Sequence, residues 1–395
     1  MIVVPIAVVL ITALVLILTL GGNGKLNGIA TKEYPDGIYT GNFVKGIRSG
    51  EGVMEYDDGN RYEGNWEDDV KSGHGVMDYD NGGRYEGNWE DDGRSGHGVM
   101  VYSDDRKYEG NWKDDVRSGH GVFTWPDGEI YTGNWENDTR SGHGVDEYTD
   151  GSRYEGNWAE GQRSGHGVLE YADGKRYEGN WEDHVRSGHG VMTWSDGDVY
   201  TGNWANDFRS GQGVYEFADG RRYEGNWEEG KKSGHGVFTW PDGDVYTGNW
   251  ANDFRSGQGV YEFADGRRYE GNWEESVKSG HGVFTWPDGG VYTGNWENDV
   301  RSGHGVHEYA SGDRYDGNWE DDVKSGHGVY TWSDGAVYTG NFENGSRSGQ
   351  GVNEYSDGRK YDGNWENDKR NGFGVMTHPD GTTQEGNWVD DEFVG

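Results

Sequence analysis

Cysteine is absent from this chain of 395 residues, so no disulfide constrains it, and the absence leaves the compartment open. Proline is rare, with six residues against 73 glycines. Aliphatic side chains are few as well: 31% of the chain is hydrophobic and almost half of that is aromatic, 14% of all residues. Too little aliphatic material remains for a large layered core, yet the chain is too aromatic for disorder. Basic residues number 35 against 72 acidic ones, a formal net charge of −37, which argues against nucleic acid as a partner. Long apolar runs are missing, with one exception at the amino terminus.

What is present resolves the conflict. Tyr39, Tyr62, Tyr85 and every later member of the series to Tyr361 recur at a step of 23 residues, fifteen in all. A sixteenth, degenerate copy begins at Gln384, and a half-copy precedes Tyr39. A repeat array needs no large core, because each unit packs only on its neighbours. Helix is disfavoured, since most units carry four glycines and each costs roughly 1 kcal/mol in a helix interior.

The unit that begins at Tyr177 shows the pattern, "YEGNWEDHVRSGHGVMTWSDG". Alternation places Tyr177, Gly179 and Trp181 on one face of a first strand. Gly188, Gly190 and Trp194 share one face of a second strand. The acidic turn between them and the Asp196-Gly197 pair read as hairpin turns. The expected fold is all-β: an elongated single-layer antiparallel meander of stacked hairpins, with rings over glycines where a Cβ would collide. Sixteen hairpins would extend roughly 150 Å along the stacking direction.

"YEGNW…RSGHGVMTWSDG" resembles the MORN repeat (membrane occupation and recognition nexus), in register over residues 39–388. The resemblance implies a twisted, gutter-shaped sheet. It also implies scaffolding, linkage of membranes to larger assemblies, dimerisation through terminal repeats and, in some relatives, phosphoinositide contact.

The chemically tempting residues are better read as parts of the unit. Ten histidines, from His74 to His327, share one place in the repeat. Successive ones should lie two strand spacings apart, roughly 9.5 Å, too far to share a zinc ion. Gly-x-Gly here opens no helix, which removes the dinucleotide reading. The acidic turns lack the spacing of a calcium loop. No constellation is unique to one unit, and no non-repeat stretch is long enough for a catalytic domain. The expectation is therefore no enzyme, and no catalytic, cofactor-binding or metal residue.

Where the late aromatic is Trp (Trp125, Trp194, Trp240, Trp286, Trp332), the next Tyr is flanked by Ile or Val and Thr. Elsewhere it is usually flanked by an ion pair such as Arg176 and Glu178. This reads as packing covariation, or as a surface striped at roughly 19 Å.

The exceptional apolar run is "MIVVPIAVVLITALVLILTL". Residues 2–20 would span about 28 Å as a helix, close to a bilayer core, without the basic start and short apolar region of a cleaved signal. Lys25, Lys32, Lys45 and Arg48 follow it, which places the repeats on the cytoplasmic side of a single-pass anchor. Cleavage, giving a secreted or lumenal product, is the alternative; sequons at Asn137 and Asn344 point that way but suit a repeat rich in Asn and Ser. The organisation expected is an anchor helix at 1–24, a capping half-repeat at 25–38 and the array at 39–395. The last strand should lack a successor and offer an edge for a homodimer. The one regular cation, at the place of Arg186, should be compensated by Glu182 and Asp183 of its own turn. The function expected is a membrane-anchored scaffold whose protein partners carry basic surfaces. A phosphoinositide-binding module, or a regulatory array for an enzyme on another chain, are the alternatives.

Overall fold

A computed structural model describes Thr19–Leu20 and residues 25–395. Every regular element among them is a strand. The chain forms two compact units, one through Arg186 and one from Ser187 to Gly395. Within each, successive strands pair antiparallel in chain order into an open single-layer sheet.

The repeat beginning at Tyr292 shows how the sequence does this. A seven-residue strand, Val291–Glu297, leads into a nine-residue strand, Val300–Glu308. Between them Asn298 and Asp299 both take positive φ, +49° and +72°. Two left-handed residues in succession make the tight hairpin turn whose twist matches the strands, and Asn and Asp tolerate that conformation. The longer turn, Tyr309 to Asp313, closes with Gly312 N–H donating to Tyr309 O at 2.9 Å.

Tyr292 explains the glycines. Its ring is wholly buried and lies over Gly294 of its own strand and Gly305 of the next, which pair directly. A Cβ on Gly305 would sit 2.6 Å from both Cε2 and Cζ of Tyr292. Its hydroxyl donates to Asn295 O at 3.0 Å. Trp296 meets the tyrosine edge-to-face at 5.3 Å, and Trp319 of the following repeat does so at 5.4 Å. Trp319 Nε1 donates to Gly305 O at 3.2 Å, which pins this repeat to the one after it. The core is thus a row of Tyr and Trp rings on one face of the sheet.

One expectation about the second strand needs correction. Gly188 does not share the ring face with Gly190: it sits exposed at a bulge, with φ +53°. Its counterpart Gly303 (φ +58°) shows the cause, a register shift that leaves extra residues on the longer strand. After the bulge the buried residues are Gly190 and Met192, not Gly188. The place of Met192 is therefore a core position, filled elsewhere by Phe238, Phe284 or Leu169.

The last strand, Thr383–Val389, is not left bare. The chain turns back so that Phe393 and Glu392 pair with Trp388 and Val389. Val394 N–H donates to Asn387 O and Asn387 N–H to Gly395 O, at 2.9 and 3.0 Å. Phe393 packs on Trp388 at 5.2 Å. Half of the expected docking edge is already taken, because an apolar side chain close behind the turn finds the terminal Trp. The anchor expected over residues 2–20 lies outside the described residues, except Thr19 and Leu20, which pair as a short strand with Asn27 and Leu26. No helix among the described residues is long and apolar enough to cross a membrane.

Candidate interaction surface

The cations at the place of Arg186 were the one regular basic feature, and their surroundings decide what the surface offers. Arg301 Cζ lies 4.1 Å from the ring centroid of Trp319 and 5.6 Å from that of Tyr292. Its backbone N–H donates to Asp322 Oδ1 at 2.9 Å, its Nε to the same oxygen at 2.8 Å, and its Nη2 to Asp322 O at 2.8 Å. Arg48, Arg94, Arg117, Arg347 and Arg370 repeat the ion pair with the acid of the following turn. Their side chains keep less than a fifth of their exposure. In these repeats the charge is compensated, but not by the repeat's own turn as expected: Asp299, from the turn before Arg301, accepts instead from Lys278 of the preceding repeat. The guanidinium is planar and weakly hydrated, so it stacks on indole while its edge reaches a carboxylate. These cations clamp neighbouring repeats and are not displayed.

The place of Met192 adds a feature that the sequence reading missed. In three repeats it holds a polar side chain, Asp146, His307 or Asn353, each buried. The Arg of the same repeat serves each one. Arg140 Nη1 is 2.8 Å from Asp146 Oδ2, Arg301 Nη1 3.4 Å from His307 Nδ1, and Arg347 Nη1 3.4 Å from Asn353 Oδ1. Burial raises the Asp146 carboxyl above its ordinary range despite the arginine. Burial, helped by Arg301, holds the His307 imidazole down at about 4, so it is neutral at physiological pH. Its ring lies 4.8 Å from Trp286 and 3.8 Å from Tyr309. The signal was available: the column reads Met, Phe, Leu or Tyr everywhere else.

The ten histidines of the shared place are exposed on the face opposite the rings. His143 keeps 60% and His304 65% of side-chain exposure. Each stands across from an Asn, as His74 does from Asn88 and His304 from Asn318. No three His, Asp or Glu side chains among the described residues are grouped to hold a metal ion.

The alternation of repeat types is a cross-strand code on this face. Thr285 pairs with Val291, Val291 with Glu308, Glu308 with Arg314 and Arg314 with Thr331. Arg222 reaches Glu224 at 2.6 Å, and Arg268 reaches Glu270 at 2.6 Å. Each of these cations thus falls beside acid, and Val291 lies between Thr285 and Glu308. Asn137 and Asn344 stand exposed at hairpin turns.

A family model for the MORN repeat matches fifteen consecutive segments between residues 39 and 383. Comparison with curated protein sequences finds no match. Among solved structures, the chain is similar to the Drosophila melanogaster SAS-4 (dCPAP) TCP domain in complex with a proline-rich motif of Ana2 (dSTIL). Identity is 10%, over 51% of this chain and 90% of that one, with a TM-score of 0.24. It is similar to the Danio rerio CPAP TCP10 domain at 14% identity, over 68% and 99%, with a TM-score of 0.16. A streptogramin B lyase matches at 9% identity, over 79% and 89%, with a TM-score of 0.13. Scores this low carry no functional argument. The family match rests on firmer ground, since it spans the repeat whose Tyr, Trp and Gly build the sheet: the chain belongs to the MORN repeat family.

Proposed function

We propose that this protein is a non-enzymatic scaffold whose repeats recruit or space partner proteins with basic surfaces, tethered to a membrane through residues 2–20. One observation carries the reading. The regular cation lies over the rings, and in many repeats a carboxylate of the next turn also holds it, as Arg301 is held between Trp319 and Asp322; in others, such as Arg209 and Arg255, a backbone carbonyl of that turn accepts instead, so the surface left for partners is dominated by acid. A row of arginines free to meet headgroups would have favoured the lipid reading; a row engaged inside the sheet does not. The field of the acidic excess steers basic partners and repels anionic leaflets over a Debye length of roughly 8 Å. The repeat-wide equivalence of the polar side chains supports scaffolding over catalysis. Orientation of the tether, with the repeats on the cytoplasmic side, follows from the lysines after the apolar run.

The test is binding of the repeats, freed of residues 1–24, to vesicles containing phosphatidylserine or phosphoinositides, beside binding to basic model proteins. Salt-sensitive association with the proteins alone is expected. Micromolar sedimentation with phosphoinositide vesicles, lost when the Arg301-type cations are removed, would reverse the assignment. Extraction of the full chain from membranes by alkaline buffer would remove the tether from the proposal.

A further inference from the structure

Two side chains stand apart from the repeat logic. Phe208 and Phe254 follow the tight turn in their repeats and keep 55% and 52% of their exposure. The fold does not require a ring there. The same place holds Val300, Gly93, Gln162 or Ser346 in other repeats, with the same hairpin. An aromatic ring left half in water, where Ser or Gly suffices, is a docking feature and not a packing one.

The surroundings indicate what docks. Phe208 borders a hollow of about 550 Å³, shared with Ala205, Asn206, Ser210, Glu228 and Glu229. Phe208 and Trp227 line it beside two carboxylates, neither with an ion-pair partner among the described residues; Glu228 accepts from the Ser233 hydroxyl. The setting is duplicated two repeats on. Ala251, Asn252 and Phe254 stand as Ala205, Asn206 and Phe208 do, and Glu274 and Glu275 as Glu228 and Glu229 do. The second copy has Val277 in place of Lys231, which makes it the more apolar of the two. Four strand spacings separate equivalent points, roughly 19 Å.

We infer that these hairpin ends are a two-point docking surface for a partner protein's extended segments in which an apolar side chain is flanked by Lys or Arg. The inference rests on the scaffold reading above and gives it a location. The apolar side chain covers the exposed ring, and the flanking cations meet Glu228 and Glu229, or Glu274 and Glu275. Two equal sites at a set distance convert a weak single contact into a strong double one.

The experiment uses the full chain in detergent and labelled synthetic peptides, with binding read by fluorescence anisotropy. One peptide carries a single Arg-Leu-Leu-Arg motif. Another carries two, joined by twelve Gly and Ser residues, whose r.m.s. reach is about 19 Å. The double peptide is expected to bind at least tenfold more tightly than the single one, and less tightly as salt rises. Phe208→Ser or Phe254→Ser should erase that advantage, and the pair of substitutions should abolish binding of both peptides. Ser346 already occupies this place in one repeat, so the variants keep the fold, which circular dichroism checks. Salt-sensitive binding that ignores both substitutions would overturn this surface and leave the scaffold proposal standing. No binding of either Arg peptide to the unaltered chain would count against both. A peptide with Glu for Arg that binds equally well would overturn the charge argument.

Discussion

Gly305 and Gly312 lie in one repeat and are needed for different reasons, so they respond oppositely to the same pair of substitutions. Gly305 has ordinary extended backbone, and the obstacle is the Tyr292 ring 2.6 Å from a new Cβ. That ring cannot yield cheaply: it is fully buried, held edge-to-face by Trp296 and Trp319, and bonded to Asn295 O. Overpacking costs about 1–3 kcal/mol, and losing the tyrosine hydrogen bond about 1 more, so Gly305→Ala should cost about 3 kcal/mol. Gly305→Asn should cost more, because a larger and polar group must enter the same space. Gly312 has room, its nearest neighbour being Ser333 Cβ at 3.4 Å, but φ is +87°. Ala there costs roughly 1–2 kcal/mol in backbone strain, and Asn less, since Asn tolerates the left-handed region. The assay is amide hydrogen exchange in the strand Val300–Glu308 and in strands several repeats away. A repeat array transmits damage only to near neighbours, so the loss should be local. Three kcal/mol corresponds to roughly a hundredfold loss of protection. The reasoning fails if Gly305→Ala changes protection by less than threefold, or if Asn proves milder than Ala at 305.

Three further outcomes are expected. Replacing Arg301 with Ala removes the contact over Trp319 and the bonds to Asp322, and should cost about 1–3 kcal/mol by local hydrogen exchange. Arg301→Lys should cost under about 1, since Lys278 and Lys324 fill the same place elsewhere. His307 has a folded pKa of about 4, below its ordinary 6.5, so the unfolded chain binds the extra proton between those values. Stability from this group is complete above pH 6.5 and falls by about 3 kcal/mol as pH drops through 4. His307→Phe should flatten that part of the pH profile between 7.5 and 4.5, and an unchanged profile would refute it. Tyr292→Phe leaves Asn295 O without its donor and should cost about 1 kcal/mol; an unaltered exchange rate at the neighbouring amides would show that water replaces the hydroxyl.

Much of this molecule was legible because the repeat restates its own constraints. A step of 23 residues with Tyr, Gly and Trp at alternate places admits one arrangement, in which the rings share a face and the glycines lie beneath them. The tight turns were equally readable, since paired Asn and Asp between two strands tolerate the left-handed conformation they adopt. Periodicity alone could not show the bulge at Gly303. A bulge takes a residue off the face that alternation gives it, and it is a property of the pairing between two strands rather than of either one. It moved Gly188 off the ring face, while Gly190 and Met192 beyond it keep the face that alternation gives them. The partner of each cation was likewise decided between repeats. Arg301 is near its own acidic turn in sequence, but hairpin stacking brings Asp322, 21 residues on, to its guanidinium. Local sequence determined the strands and turns because those depend on neighbouring residues. The tertiary fold decided which charges are engaged and which rings stay exposed, because those depend on what the next hairpin places above them.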